Sequence, residues 1–195
     1  MATSTTSFSL GTLTEASATN SFATGLGTKA SMNMAAAFGN GTEASGNTST
    51  TFGIGTKASA LASLAMGQLS QASGTHSIAT GYNTRAELQG ASAFGKTTKA
   101  QGLASFASGE GTNAESYAQT SVGSFNTIKA GNATIYTATD RLFVIGNGTD
   151  GSNKSDAFIM LKSGATTLNG LLTLDGDNTG AGQSYTFPAQ DGAAS

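Results

Sequence analysis

The first two thirds of the chain repeat one pattern of small, apolar and polar positions every 14 residues. Glycine marks the pattern, at Gly11, Gly25, Gly39, Gly53, Gly67, Gly81, Gly95, Gly109 and Gly123. Alanine follows five residues after each of the first eight glycines, and Ile128 takes its place after the ninth. Because a flexible linker has no reason to keep such a register, the pattern predicts a repeat architecture whose unit starts at Ser7.

The first five residues of each unit alternate between a small side chain and a variable one. This is the period-2 pattern of a strand with two unlike faces. Positions two and four carry most of the bulk, at Phe8, Leu10, Phe22, Phe38, Phe52, Leu64, Met66, Ile78, Phe94, Phe106 and Val122. We expect these residues to line either a core or a subunit interface. The second half of the unit is richer in Gly, Asn, Thr and Ser and is expected to hold a turn, a short strand and the return.

Coils with two strands each stack through parallel ladders, at ~4.8 Å per coil. Two further columns of the repeat fit this stacking. Position eight is Thr, Ser or Asn in every unit and predicts a ladder of polar side chains. Position nine reads Glu15, Lys29, Glu43 and Lys57 in the first four units, which places opposite charges beside each other in neighbouring coils. We therefore expect an all-β solenoid of nine 14-residue coils.

Small residues dominate the composition. Gly accounts for 27 of 195 residues, charged residues for 10%, and the chain has one Pro and no Trp. A coil thus carries only one or two large apolar side chains, whose burial offsets little of the cost of ordering it. We expect the bulky rows to pack against other copies of the chain, in a number that composition alone does not fix.

The repeat resembles the head of trimeric autotransporter adhesins, the YadA-like head, whose repeat is similar to S-V-A-I-G-x-x-S-x-A. It appears here as SFATGLGTKA from Ser21, SLAMGQLSQA from Ser63 and SIATGYNTRA from Ser77. The similarity covers residues 7–128, with departures such as Ala35 for the leading Ser and Thr51 for the central Ala. The resemblance implies a left-handed parallel β-roll and a homotrimer with three rolls side by side.

The pattern changes after the ninth unit. Two apolar stretches, Leu142 to Ile145 and Ala157 to Lys162, flank a turn rich in Gly, Asn, Asp and Ser and predict a β-hairpin. This segment and the ending SYTFPAQDGAAS from Ser184 resemble parts of phage tail fibres. We expect four regions: a tail at 1–6, the β-roll at 7–132, a hairpin domain at 133–174 and a Gly/Asp-rich tail at 175–195.

Charge and composition also exclude several partners. A net charge of −2 without a run of Lys or Arg argues against binding of nucleic acid or an anionic membrane. The chain has no Cys, which removes disulfides and thiolate chemistry. No stretch approaches the ~20 apolar residues that span a bilayer, and the start has neither a basic nor an apolar region of a signal peptide. We expect neither membrane insertion nor export by the Sec route.

No pattern in the chain predicts catalysis, a cofactor or a metal site. His76, the only histidine, falls in a turn, and Gly146, Gly148 and Gly151 match G-x-G-x-x-G without the helix that a dinucleotide site needs. A calcium loop from Asp175 would need a Glu where Thr186 stands. Surface binding is expected instead at turns that break the pattern, with Tyr82, Tyr117 and Phe125 as candidates.

We therefore expect a protein that is not an enzyme, for which three hypotheses remain. The first is a trimeric tail fibre or spike of a phage or a phage-like contractile injection particle. It would assemble in the cytoplasm with other tail or baseplate proteins and attach to a glycan or protein of a target cell. The second is the head of a secreted adhesin at a bacterial cell surface. The third is a structural spacer or adaptor within a particle.

Overall fold

The computed structural model describes residues 1–170, and this part contains strands and turns but no helix. Nine long strands are β1 (Phe8–Thr12), β3 (Phe22–Leu26), β5 (Ala36–Asn40), β7 (Thr50–Ile54), β9 (Leu64–Gln68), β11 (Ile78–Tyr82), β13 (Ser92–Lys96), β15 (Phe106–Glu110) and β17 (Thr120–Ser124). Eight short strands alternate with them: β2 (Glu15–Ala16), β4 (Lys29–Ala30), β6 (Glu43–Ala44), β8 (Lys57–Ala58), β10 (Gln71–Ala72), β12 (Arg85–Ala86), β14 (Lys99–Ala100) and β16 (Asn113–Ala114). The predicted tail at 175–195 and the calcium-like loop lie outside the described residues.

The strands stack as the period requires. Each long strand pairs in parallel with the long strand of the next coil, in a register of 14 residues, so that Phe8 faces Phe22 and Gly11 faces Gly25. The short strands do the same, with Ala16 opposite Ala30. The long strands form one face of the solenoid and the short strands the other. The predicted solenoid of 14-residue coils is confirmed.

Small side chains fill the space between the two sheets. Ala at positions three and ten, Ser or Ala at position one and Thr or Ser at position eight are buried in almost every coil. The Ser at position one also holds the preceding turn, because the Ser21 hydroxyl donates to the Ala18 carbonyl at 2.6 Å and accepts from the Ala18 N–H at 3.2 Å. The predicted ladder at position eight thus lies inside the roll.

Two residues per coil reverse the chain. Positions seven and fourteen have positive φ, for example 57° at Leu69 and 56° at His76. Their N–H groups bond the preceding coil, since Leu69 donates to the Ile54 carbonyl and His76 to the Leu61 carbonyl, both at 2.9 Å. Residues such as Leu and His disfavour this left-handed backbone conformation, and stacking on the preceding coil stabilises it. His76 lies exposed in its turn.

The ninth coil keeps only its long strand. At position ten the eight complete coils have an Ala that is fully buried, and Ile128 is too large for that space and is 51% exposed. The Asn126 side chain covers the edge that a further short strand would occupy, because its Oδ1 accepts from the Asn113 N–H at 2.7 Å and its Nδ2 donates to the Asn113 carbonyl at 3.0 Å. Eight complete coils therefore precede the end of the roll.

The predicted hairpin is present and continues the large sheet. β18 (Arg141–Asn147) pairs in parallel with β17, with Gly146 opposite Gly123, and antiparallel with β19 (Asp156–Leu161). β20 (Thr166–Leu168) adds the last strand. We call residues 125–168 the C-terminal cap. At the other end, Ala2 forms a parallel bridge to Ala16, so the coil geometry already includes residue 2.

Candidate interaction surfaces

The bulky side chains at positions two and four lie outside the roll. We call these two columns the outer rows. They are Phe8, Phe22, Ala36, Thr50, Leu64, Ile78, Ser92, Phe106 and Thr120 at position two, and Leu10, Thr24, Phe38, Phe52, Met66, Thr80, Phe94, Ser108 and Val122 at position four. In the single chain Leu10 is 60% exposed and Phe8 48%. The expectation of a core is wrong, because these side chains lie outside the roll. The subunit interface stays a prediction.

Aromatic rings stack along the outer rows. Phe8 stacks on Phe22 at 4.9 Å between centroids, Phe22 on Phe38 at 5.2 Å and Phe38 on Phe52 at 4.6 Å. The stack crosses from position two to position four between Phe22 and Phe38. The result is a continuous apolar band along the first four coils, which is larger than the scattered apolar residues of an ordinary surface.

The C-terminal cap continues the outer rows at the other end of the roll. Phe143 of β18 stands opposite Thr120, and Ile145 stands opposite Val122. Phe143 contacts Phe158 of β19 edge to face, at 5.9 Å between centroids. The outer rows and the cap therefore present one apolar surface on the long-strand side of the molecule.

The short-strand side is polar, and its charges follow the predicted ladder in the first half of the roll. Glu43 lies beside both Lys29 and Lys57, and Lys57 Nζ is 3.0 Å from Glu43 Oε2. The alternation ends further on, where Arg85 and Lys99 occupy neighbouring rungs. Like charges in register destabilise a sheet pair, so this part of the ladder is not explained by stability of the stack.

The glycine column at position five is a place of close approach between coils. All nine glycines have φ between 97° and 133°. A Cβ built on Gly11 would overlap the carbonyl oxygen of Gly25, and the same holds along the column to Gly123, whose Cβ would overlap the carbonyl oxygen of Gly146. Both the backbone conformation and the space exclude a side chain at these positions.

A buried ion pair fastens the C-terminal cap to the last coil. Arg141 Nη2 lies 3.1 Å from Asp156 Oδ2, with side chains that are 8% and 2% exposed. Arg141 Nη1 also donates to the Thr127 carbonyl at 2.5 Å, and Asp156 Oδ1 accepts from the Thr127 N–H at 2.9 Å. Sequence reasoning missed this pair, although a charged residue stands directly before each apolar hairpin stretch in a chain that is poor in charge.

A second buried charge lies beside it. The Lys162 side chain is 1% exposed, and its Nζ lies 3.9 Å from Asp140 Oδ2 and 5.6 Å and 5.9 Å from the ring centroids of Tyr117 and Tyr136. Burial lowers the pKa of Lys162 from its ordinary value, and the Asp140 carboxylate opposes that shift. Cation–π contacts with the two rings support the ammonium group.

The three candidate surface residues do not form one site. Tyr82 is exposed at the end of β11, on the long-strand side. Tyr117 contacts Lys162 in the cap. Phe125 lies at the turn where the cap begins and lines a cleft with Lys99 and Lys154. Gly146 lies in β18 and Gly148 and Gly151 follow it, so the glycine motif falls in a β-hairpin.

Within residues 1–170, no group of three or more His, Asp or Glu side chains is placed to hold a metal ion. The same part of the chain has no helix long and apolar enough to cross a membrane.

A comparison with known protein families supports the repeat pattern found in the sequence. The YadA head domain repeat matches two stretches, residues 2–28 and 58–84, together somewhat more than a quarter of the chain. No curated protein and no solved structure matches the chain. No comparison supports the tail-fibre resemblance of the C-terminal segment. The chain is thus similar to YadA heads in its repeat, and its β-solenoid is of the kind typical of structural adhesins.

Proposed function

We propose that this chain forms the head of a trimeric surface adhesin, a non-enzymatic rod whose sides contact another surface. The observation that carries this proposal is the position of the outer rows. A roll that fills its interior with Ala, Ser and Thr leaves its Phe, Leu, Met and Ile side chains outside. These side chains favour a partner that covers the long-strand side along its whole length.

Other copies of the same chain fit that requirement. A copy presents rows with the same ~4.8 Å spacing between coils, so three parallel rolls match rung by rung. Fully burying one such side chain contributes on the order of 1.5 to 3 kcal/mol. The similarity to YadA head repeats, which form homotrimers, favours three copies over two.

The proposal gives the adhesive role to the surface that the outer rows leave free. The turns and the short-strand side differ from coil to coil in charge and size, as Lys57, Gln71 and Arg85 at position nine illustrate. A stacked repeat tolerates such changes because each coil contacts only its neighbours. The same rod can therefore carry a binding site on any coil.

A bacterial cell surface is the setting that the YadA similarity supports. A fibre on a phage or an injection particle would use the same trimeric roll, and the tail-fibre resemblance after Asp140 is what suggests it. The neighbouring genes distinguish the two settings. Genes for a tail tube and a baseplate beside this one would overturn the cell-surface setting while leaving the trimeric rod in place.

Attachment itself is tested with the purified full-length protein. Fluorescently labelled protein is added to epithelial cells, to bacterial cells and to surfaces coated with extracellular matrix. We expect saturable binding to at least one of them, with competition by unlabelled protein. Absence of saturable binding to all of them would favour a structural spacer and overturn the adhesin proposal.

A further inference from the structure

A cleft of about 320 Å³ lies where the last complete coils meet the loop between β18 and β19. Its lining includes Lys99, Thr112, Asn113, Phe125, Ile128 and Lys154. The volume is within the range of small-molecule sites. None of the lining residues belongs to the outer rows, so contact between copies through those rows does not use them.

Phe125 lines the cleft, and two hydrogen bonds hold its backbone in place. Its N–H donates to the Glu110 carbonyl at 2.8 Å and its carbonyl accepts from the Ser155 N–H at 3.1 Å. Gly111 leaves the room for the ring, because a Cβ on Gly111 would overlap it. Phe125 has the positive φ that every coil has at position seven, 39°, and it is the one aromatic residue in that column.

Asn113 supplies an unpaired acceptor. The residue is 8% exposed, its N–H donates to Asn126 Oδ1 and its Nδ2 donates to Glu115 Oε1 at 3.1 Å. Its Oδ1 is buried and has no hydrogen-bond partner within residues 1–170. Leaving a buried acceptor unpaired is costly, so the cleft favours a ligand that donates a hydrogen bond, such as a hydroxyl group.

The cleft carries positive charge without a carboxylate in its lining. Lys99 and Lys154 line it, and Arg85 lies on the rung beside Lys99. None of the three forms an ion pair in the described part of the chain. The acidic neighbour in the loop, Asp150, already accepts hydrogen bonds at 2.8 to 2.9 Å from Ser152 and Asn153. An anionic group is therefore favoured in the cleft.

We propose that this cleft binds a sugar that bears a carboxylate. The ammonium groups of Lys99 and Lys154 bond the carboxylate, the Phe125 ring packs against the C–H face of the sugar, and Asn113 Oδ1 accepts from a hydroxyl. Inorganic phosphate would use the lysines but neither the aromatic wall nor the unpaired acceptor. This inference rests on the proposed adhesive function and gives it a ligand class.

Titration of the full-length protein with three sugars tests the ligand class. The probes are the methyl glycosides of N-acetylneuraminic acid, of glucuronic acid and of neutral glucose, followed by ligand-observed NMR. We expect at least one acidic sugar to bind, roughly tenfold or more tightly than the neutral one, because hydrogen bonds to charged groups are worth about that factor. The two acidic probes distinguish sialic acid from uronic acid as the source of the carboxylate. Equal binding of the neutral sugar, or no binding of either acidic one, would overturn the proposal.

Matched variants locate the site. Lys99→Gln combined with Lys154→Gln should lower the affinity for the acidic sugar at least about tenfold. Lys57→Gln, at the same coil position three coils away, should leave it unchanged. Phe125→Asn should also abolish binding without loss of stability, since Asn83 occupies the same turn position with a φ of 53°. Wild-type affinity in both cleft variants would show that the cleft is not the site.

The same proteins in the cell-binding assay separate this inference from the proposed function. Wild-type adhesion together with no binding of either acidic sugar would overturn the ligand class and leave the adhesin proposal standing. Loss of adhesion in the cleft variants, with Lys57→Gln adhering like wild type, is the result that both proposals predict. Sugar binding without adhesion to any surface would support the cleft and count against the adhesin.

Discussion

Gly67 lies beside Gly81 in the next coil, and a Cβ on Gly67 would overlap the Gly81 carbonyl oxygen. The φ of Gly67 is 100°, which L side chains rarely adopt. The two glycines therefore set how closely these coils approach. Because the same relationship repeats along the column, stacking of the whole rod depends on it.

Replacing Gly67 tests this dependence. We expect Gly67→Val to lower the free energy of unfolding by more than about 3 kcal/mol, from backbone strain and overlap combined. Gln68→Val, one residue along on the exposed side of the same strand, should change it by less than about 0.5 kcal/mol. Thermal unfolding followed by circular dichroism measures both. Equal stability of the two variants would mean that the glycine column is not structural.

Deleting whole coils tests the repeat as a unit. Removal of residues 49–76 joins Thr48 to Ser77 with every column in phase, and brings Glu43 beside Arg85. Folding should survive because stability is roughly a sum over neighbouring coils, and electron microscopy should show a rod shorter by ~10 Å. Removal of residues 49–55 would stack strands on turns in all later coils, so that variant should misfold. A seven-residue deletion as ordered as the 28-residue one would contradict the 14-residue coil.

The ion pair between Arg141 and Asp156 should decide the stability of the C-terminal cap. Arg141→Gln leaves the Asp156 carboxylate buried without its cation, at a cost of about 3 to 5 kcal/mol. The matched change at the exposed pair, Lys57→Gln beside Glu43, should cost between about 0 and 1 kcal/mol. Hydrogen exchange of the β18 and β19 amides is the readout. Unchanged protection in Arg141→Gln would show that the pair does not hold the cap.

Titration of Lys162 should make the stability of the C-terminal cap depend on pH. Burial lowers the pKa of Lys162 below 10.5, so the unfolded chain holds the proton more tightly than the folded one. The cost of the buried charge is present at neutral pH and disappears as the pH rises from the lowered folded value toward 10.5. We expect the unfolding temperature of the wild type to rise relative to Lys162→Met, whose side chain does not titrate, as the pH approaches 10.5 from below. Parallel curves for the two proteins would refute this.

Much of the fold was predictable because the same columns occur in successive coils. Glycine at position five and alanine at position ten identify the unit. A single departure, such as Thr51, does not hide the repeat, because the neighbouring coils keep the pattern. Alternation alone did not say which face of the long strand points inward. Side-chain volume decides it, since the space between the sheets admits Ala, Ser and Thr and excludes Phe and Leu.

Other features depend on contacts that the period does not encode. Several residues at position fourteen, such as Met34 and Ala62, have no turn preference, and stacking imposes their positive φ. β18 joins the sheet 23 residues after β17 rather than 14, as the pairing of Thr120 with Phe143 shows. The run Phe143 to Gly146 indicates this pairing, because it resembles the last part of a long strand, which also contains glycine. The 14-residue spacing brings one side of the cleft together, with Asn83, Thr97, Gly111 and Phe125 at position seven of successive coils. The other side, Gly151 and Lys154, comes from a distant loop that the spacing does not place.

Light scattering of the folded full-length protein tests the central claim most directly, because the outer rows have no other role in the structure. The claim predicts three times the mass of the chain. Phe38→Ser combined with Phe52→Ser should weaken the assembly, since both stacked rings lie in the apolar band, whereas Lys29→Ser on the short-strand side should leave it intact. A folded monomer with the outer rows open to solvent would contradict the trimeric adhesin head.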